Sequence, residues 1–169
     1  MPSTPTIKIS IDGDDQFARA FDRYDAAFSD LTNIWPDVKK KFHEIEKEQF
    51  DSEGSAGGDR WQPLSERYAA QKIKQYGSKP ILQATGDLYR SLTGDGPYTH
   101  YQTNKTQIEI GTTLPYGLYH QRGGGKLPKR PPINFSDRQK NELMKVIQSG
   151  LIRELRRGSG YVIPQDRSR

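Results

Sequence analysis

The chain has 169 residues, 28% charged and 32% hydrophobic, with no cysteine. That length suits one domain of ordinary size that can bury a core without metals or disulfides. Zero Cys excludes disulfide scaffolds, cysteine nucleophiles, thiolate metal sites and iron–sulfur clusters together.

Residues 6–12 alternate, with Ile7, Ile9 and Ile11 on one side, which is the period of a half-buried strand. Gly13 ends it, and Asp14 and Asp15 suit the positive end of a helix dipole. Phe17, Ala20, Phe21, Tyr24, Ala27, Phe28 and Leu31 then recur at spacings of three and four, predicting an amphipathic helix over 14–33. Pro36 stands where a second helix begins, a position that favours proline, and Val38, Phe42, Ile45 and Gln49 carry that helix to about Phe50.

Residues 51–60 hold three Gly and no large apolar side chain, and read as a flexible loop. No Gly-Lys-Ser/Thr follows, so this is not a phosphate cradle. Trp61 comes next. Ser65 is a helix cap for a short helix to about Lys74, with Tyr68, Ile73 and Tyr76 as inward groups. Gly77-Ser78-Lys79-Pro80 breaks that helix. Thr85 is the cap expected for a helix carrying Leu88, Tyr89 and Leu92.

Two strands, 98–102 and 107–111, flank Thr103-Asn104-Lys105-Thr106, with Ile108 and Ile110 toward the core. Residues 115–121 suggest a helical turn. Arg122-Gly123-Gly124-Gly125-Lys126 is mobile by composition, and 128–133 is stiff and extended. Ser136 with Gln139 has the capping-box pattern. Leu143, Val146, Ile147, Leu151 and Leu155 mark a long helix over 137–157, which Gly158-Ser159-Gly160 would stop. The order predicts an α+β chain of N-terminal helices, a small antiparallel sheet, a long C-terminal helix and long Gly/Pro-rich loops. Residues 1–157 are expected to form one domain and 158–169 a tail.

The formal charge of +5 is uneven. Residues 1–121 carry 14 Lys and Arg against 17 Asp and Glu, a net of −3, and residues 122–169 carry 12 against 4, a net of +8. A basic segment of this kind meets phosphate, an acidic partner or only water. No apolar run approaches the roughly 18 residues that span a bilayer. The opening Met1-Pro2-Ser3-Thr4-Pro5-Thr6 lacks the order of a secretion signal. The expectation is synthesis in the cytosol and no membrane partner.

Catalytic signals are thin. His43, His100 and His120 are the three histidines, and none shares the spacing of a helical metal pair. His43 reads as solvated. His120, set among Tyr116, Tyr119 and Arg122, is the one candidate centre for a hydrolase, without a Gly-x-Ser-x-Gly elbow to support it. No cofactor or metal is expected. A basic nucleic-acid-binding module is the main alternative, although the basic third has no recognition-helix signature.

One ordered set of residues does stand out. Trp61-Gln62-Pro63-Leu64-Ser65, Tyr68 and Lys72 are followed by Ile81 through Leu92 with Thr85-Gly86-Asp87-Leu88 at its centre. Then come Gly111, Pro115-Tyr116-Gly117, His120-Gln121, Gly123, Pro128 and Arg130-Pro131-Pro132 before the terminal helix. This order, over about residues 40–157, resembles the phage virion morphogenesis family, the tail completion proteins of Mu-like phages. Pro132 departs from the pattern, which has an aromatic after Arg-Pro, and residues 1–35 carry no motif of it.

The resemblance implies a small α+β, non-enzymatic subunit of the head–tail junction in the virion. It implies a homo-oligomeric ring, commonly a hexamer, whose partners are itself, head connector or adaptor proteins, and the tail tube or tail terminator, with non-specific DNA contact in the channel. The interface candidates are Trp61, Leu64, Tyr68, Tyr89, Tyr116, His120, Arg122, Gly123, Gly124 and Arg130. Candidates for phosphate or an acidic partner are Lys126, Lys129, Arg153, Arg156 and Arg157. Read as structure alone, Trp61 closes the core, His120 is a packed histidine and Arg130 is a surface charge held between prolines.

Overall fold

A computed structural model describes residues 25, 28–125 and 127–159. The predicted strand over 6–12, most of the helix over 14–33, Lys126 and residues 160–169 lie outside the described residues. Phe28 and Ser29 are helical, and the helix predicted to reach 33 has ended by Asp30.

The fold is α+β. Helix α1 is Trp35–Asp51, with Pro36 in its first turn, where a missing N–H costs nothing. Its buried side chains Trp35, Val38, Phe42, Ile45, Gln49 and Phe50 recur at helical spacing and face two neighbours. Phe42 and Phe50 join Trp61, Ile81, Leu88 and Leu92 in one core cluster. Ile34, Trp35 and Val38 meet Leu143, Val146, Ile147 and Leu151 in a second. The first cluster is largely aromatic: Phe50 stands edge-on to Trp61 and to Tyr89, with centroids 5.3 and 5.4 Å apart. Such pairs add about 0.5–1.5 kcal/mol each beyond burial.

The segment 51–60 is ordered, against the reading of a flexible loop. It forms a 3₁₀ turn, Ser55–Gly57, and Gly54 and Gly57 are buried. Gly57 N–H donates to Gln49 Oε1 at 2.8 Å, and Trp61 N–H donates to Glu53 O at 2.7 Å. Gly54 has φ 95°, and a Cβ there would stand 2.6 Å from the Trp61 ring. Glycine supplies both the left-handed backbone and the room for the indole.

Helix α2, Glu66–Tyr76, begins at Ser65, whose Oγ accepts from Tyr68 N–H. Its inward face differs from the prediction. Tyr68 and Ile73 are exposed, Tyr76 is half-buried, and Lys72 is the buried residue. The Lys72 ammonium donates to the carbonyls of Lys79 and Pro80, so a cation closes the turn that follows the helix. Helix α3, Asp87–Thr93, is capped one residue later than predicted, by Gly86 at φ 81°. Thr85 Oγ1 still accepts from Asp87 N–H at 3.3 Å.

Strands β1, Thr99–Thr103, and β2, Ile108–Thr112, pair antiparallel with Tyr101 opposite Ile110, one residue on from the predicted bounds. Ile108 and Ile110 are half-buried against the two core clusters. Helix α4 is Pro115–Arg122. The stretch after it is a defined turn rather than a loose one: Gly123 has φ 67° and Gly124 pairs with Leu127. Helix α5, Asp137–Ser159, runs two residues past its predicted end, through Gly158. The expected capping box is half formed. Gln139 Oε1 accepts from Ser136 N–H, and the Ser136 hydroxyl also donates to that oxygen. His43, read as solvated, is half-buried beside Phe42, and its Nε2 has no partner.

Candidate functional site

A groove of about 1270 Å³ opens between α2, the start of α3, α4 and the 125–130 turn. Two helical stripes wall it. On α2, Tyr68, Lys72 and Tyr76 lie four residues apart, and on α4 Tyr116, Tyr119 and His120 lie three and four apart. Both spacings put each set on one helix face. Leu64, Leu82, Leu127 and Pro128 complete the apolar lining. Tyr119 is 64% exposed and Tyr68 48%, and neighbouring Leu118 is also turned to solvent. Leu82 holds φ 61°, a backbone region unfavourable to a branched side chain, at about 1–3 kcal/mol.

Arg130 organises the site. The residue is only 5% exposed, so it is not the surface charge expected from its prolines. Its Nε donates to Gln62 O at 2.7 Å and its Nη2 to Pro63 O at 2.9 Å, while its backbone N–H donates to His120 O at 3.0 Å. One residue, through its side chain and its backbone N–H, therefore ties the Trp61–Ser65 segment to α4. Burial lowers the Arg130 pKa. His120 is held below the ordinary histidine value, first by burial and then by the Arg130 charge, and is therefore neutral near pH 7. Its Nδ1 is buried without a partner. Burial raises the Tyr116 phenol, partly offset by a hydrogen bond with Thr85.

Of the sequence candidates, the fold gathers Leu64, Tyr68, Tyr116, His120 and Arg130 into this groove. Trp61 belongs to the core: its Nε1 donates to Pro131 O at 3.0 Å. Tyr89 packs on that core and does not line the groove. Arg122, Gly123 and Gly124 stand just outside, and Arg122 is exposed. A Cβ on Gly123 would meet the Lys129 backbone at 2.9 Å, so this glycine serves close chain approach. Lys129 is exposed, and Lys126 lies outside the described residues.

The basic final third is much neutralised. Arg138 pairs with Glu48 and Glu142, Lys140 with Asp137, Arg153 with Asp37 and Arg157 with Glu154. Two of these acids, Glu48 and Asp37, come from α1, so part of the +8 meets the acidic body of the same chain. Arg156 belongs to the same helix end as Arg153 and Arg157.

Sequence reasoning named Lys72 only within the ordered motif set, with no role of its own, and gave none to the buried Glu46. Lys72 carries a signal in hindsight, since it sits midway in the Tyr68–Tyr76 row. Neither ring nitrogen of His120 bonds a hydroxyl or a carboxylate among the described residues. No cluster of three or more His, Asp or Glu there is placed to hold a metal, and no helix there is long and apolar enough to cross a membrane.

Fold and groove together define a small α+β protein presenting a broad aromatic surface around a buried cation. The model of the phage virion morphogenesis family matches residues 12–152. The chain belongs to that family, and its role is in building the phage particle. No curated protein and no solved structure matches it.

Proposed function

We propose that this chain is a non-enzymatic structural protein of the head–tail junction, a tail completion or neck protein. It assembles as a ring, six copies in the expected case, between the connector and the tail tube. The observation that carries this reading is the groove, around which Tyr68, Tyr116, Leu118, Tyr119 and Leu127 are all exposed. Contiguous apolar surface of this kind marks protein interfaces, and tyrosine is enriched among their anchors. Its partners are further copies of itself, the head connector or adaptor proteins, and the tail tube or tail terminator. Any contact with DNA in the channel falls to exposed cations outside the ion pairs above, such as Arg122, Lys129 and Lys145.

Light scattering on the purified chain, with negative-stain imaging of tails mixed with it, tests the reading. The expected outcome is a closed oligomer and added density at one end of the tail. A 19.3 kDa monomer at every concentration, absent from tails and connectors, overturns it. A duplex-DNA titration across salt tests the channel contact, which should weaken steeply as salt rises.

A further inference from the structure

Lys72 and Arg130 are both buried, both line the groove, and neither forms a salt bridge among the described residues. Their donors go to neutral carbonyls: Lys79 and Pro80 for Lys72, Gln62 and Pro63 for Arg130. Buried cations are ordinarily matched by an anion, because carbonyl dipoles offset only part of the lost hydration. Beside Arg130, His120 Nδ1 is buried and unbonded. The one carboxylate on the lining, Asp87, is engaged by Arg90. Glu53 acts on Lys72, but no carboxylate stands beside Arg130, so the Arg130–His120 end of the groove is short of negative charge and of a hydrogen-bond partner, while the rest is largely tyrosine, leucine and proline.

The volume exceeds the roughly 300–1,000 Å³ of small-molecule sites and suits a length of polypeptide. A nucleic-acid backbone fits less well, since phosphates are tracked by exposed Lys and Arg, whereas these cations are recessed in an apolar lining; Arg130 commits only two of its five N–H donors to carbonyls. The occupant that matches is an acidic segment with apolar neighbours. The chain itself holds one outside the described residues: Ile9-Ser10-Ile11-Asp12-Gly13-Asp14-Asp15-Gln16-Phe17. The other stretch there, 160–169, ends Asp166-Arg167-Ser168-Arg169 and has the wrong sign.

The chain leading back to that segment is anchored at the hairpin turn. Leu31 N–H donates to Lys105 O in the hairpin turn, at 2.6 Å. The groove lies past the other end of β2, where α4 begins. Residues 18–30, between Phe17 and Leu31, are enough chain to span ~20 Å or more and so to reach a neighbouring copy.

We propose that the groove is the receptor for the Ile9–Phe17 segment of a second copy, with a carboxylate of Asp12, Asp14 or Asp15 set against Arg130 and His120 and with Ile11 and Phe17 on the tyrosines. Each copy gives one segment and receives one, a heterologous contact that closes when the rotation between copies closes. This rests on the ring reading above and names the contact that would build the ring.

The test is photo-crosslinking in the full chain. A benzophenone amino acid replaces Tyr119, which is exposed and outside the core, in ¹⁵N-labelled protein mixed with unlabelled protein. The expected product joins position 119 of one isotope to residues 9–17 of the other. The triple change Asp12→Asn, Asp14→Asn and Asp15→Asn is expected to lower that yield, at sub-saturating protein, about thirtyfold or more, the loss typical of removing one partner from a desolvated charge pair. Because Arg130→Ala removes a structural clamp, His120→Phe and Tyr68→Ser serve as the groove variants, each checked by circular dichroism. Products found exclusively within the labelled isotope, products elsewhere on the chain, or transfer of the crosslink to added DNA each overturn the proposal. If an oligomer forms without the 119-to-arm product, the ring reading stands and this one fails. If no oligomer forms, both fail.

Discussion

Glu46 is fully buried on α1, and neither carboxylate oxygen has a hydrogen-bond partner. Burial raises its pKa well above 4.5, so the fold keeps it protonated. In the unfolded chain it ionises near the ordinary value. Above about pH 4.5 the native state therefore binds more protons than the unfolded state, and stability falls as pH rises. Below that pH both states hold the proton and the loss disappears. Glu46→Gln should match the parent at pH 4 and exceed it progressively toward pH 7, by at most about 1.4 kcal/mol per pH unit. Urea midpoints for the two proteins that stay parallel from pH 4 to 7 would show that Glu46 is not held neutral. At Trp61, truncation to Ala should cost about 3–5 kcal/mol. Trp61→Phe should cost about 1 kcal/mol, because it keeps a ring on Phe50 and Gln49 Nε2 still donates to Pro131 O at 3.3 Å. Equal losses for the two, measured by thermal melts, would assign the indole N–H the dominant role.

At the scale of elements, α1 and α5 meet where Gly150 lies under Ile34. A Cβ on Gly150 would come within 2.7–3.1 Å of three atoms of that side chain, which is fully buried. Gly150→Ala gains about 1 kcal/mol of helix propensity, but overpacking costs about 1–3 kcal/mol. The expected net is destabilising, and a rise in melting temperature would mean that the two helices part without cost. The hairpin turn depends on Asn104, whose Oδ1 accepts from Thr106 and Gln107 N–H at 2.9 and 2.8 Å. Asn104→Ala should cost about 1–2 kcal/mol and speed amide exchange at those two residues. By contrast, the exposed Arg153–Asp37 pair should be worth less than about 1 kcal/mol, and Arg153→Ala should melt close to the parent.

For the whole molecule, the charge asymmetry matters less for nucleic acid than the sequence suggests. Arg138 and Arg153 reach across to Glu48 and Asp37 of α1, so basic and acidic parts partly cancel inside one chain. The surface left for partners is the aromatic groove. The neighbourhood of Tyr116, Tyr119 and His120 was readable from their closeness in the chain. Their meeting with Tyr68 was not, because Tyr68 and Tyr116 are 48 residues apart and come together through tertiary contacts, the Arg130 bonds among them.

Among the described residues the sequence by itself determined the order of the helices and strands, the Ser65 cap and the hairpin to within a residue. These depend on periods of two and about 3.6 and on neighbouring side chains, which act locally. The tertiary structure decided which face of each helix turned inward. It put Lys72 rather than Tyr68 inside α2, made Arg130 a buried clamp, ordered residues 51–60 and set Trp61 in the core. Those outcomes depend on where distant carbonyls and rings fall. A backbone oxygen at Pro63, Lys79 or Pro131 becomes a partner only once the chain has folded back on itself.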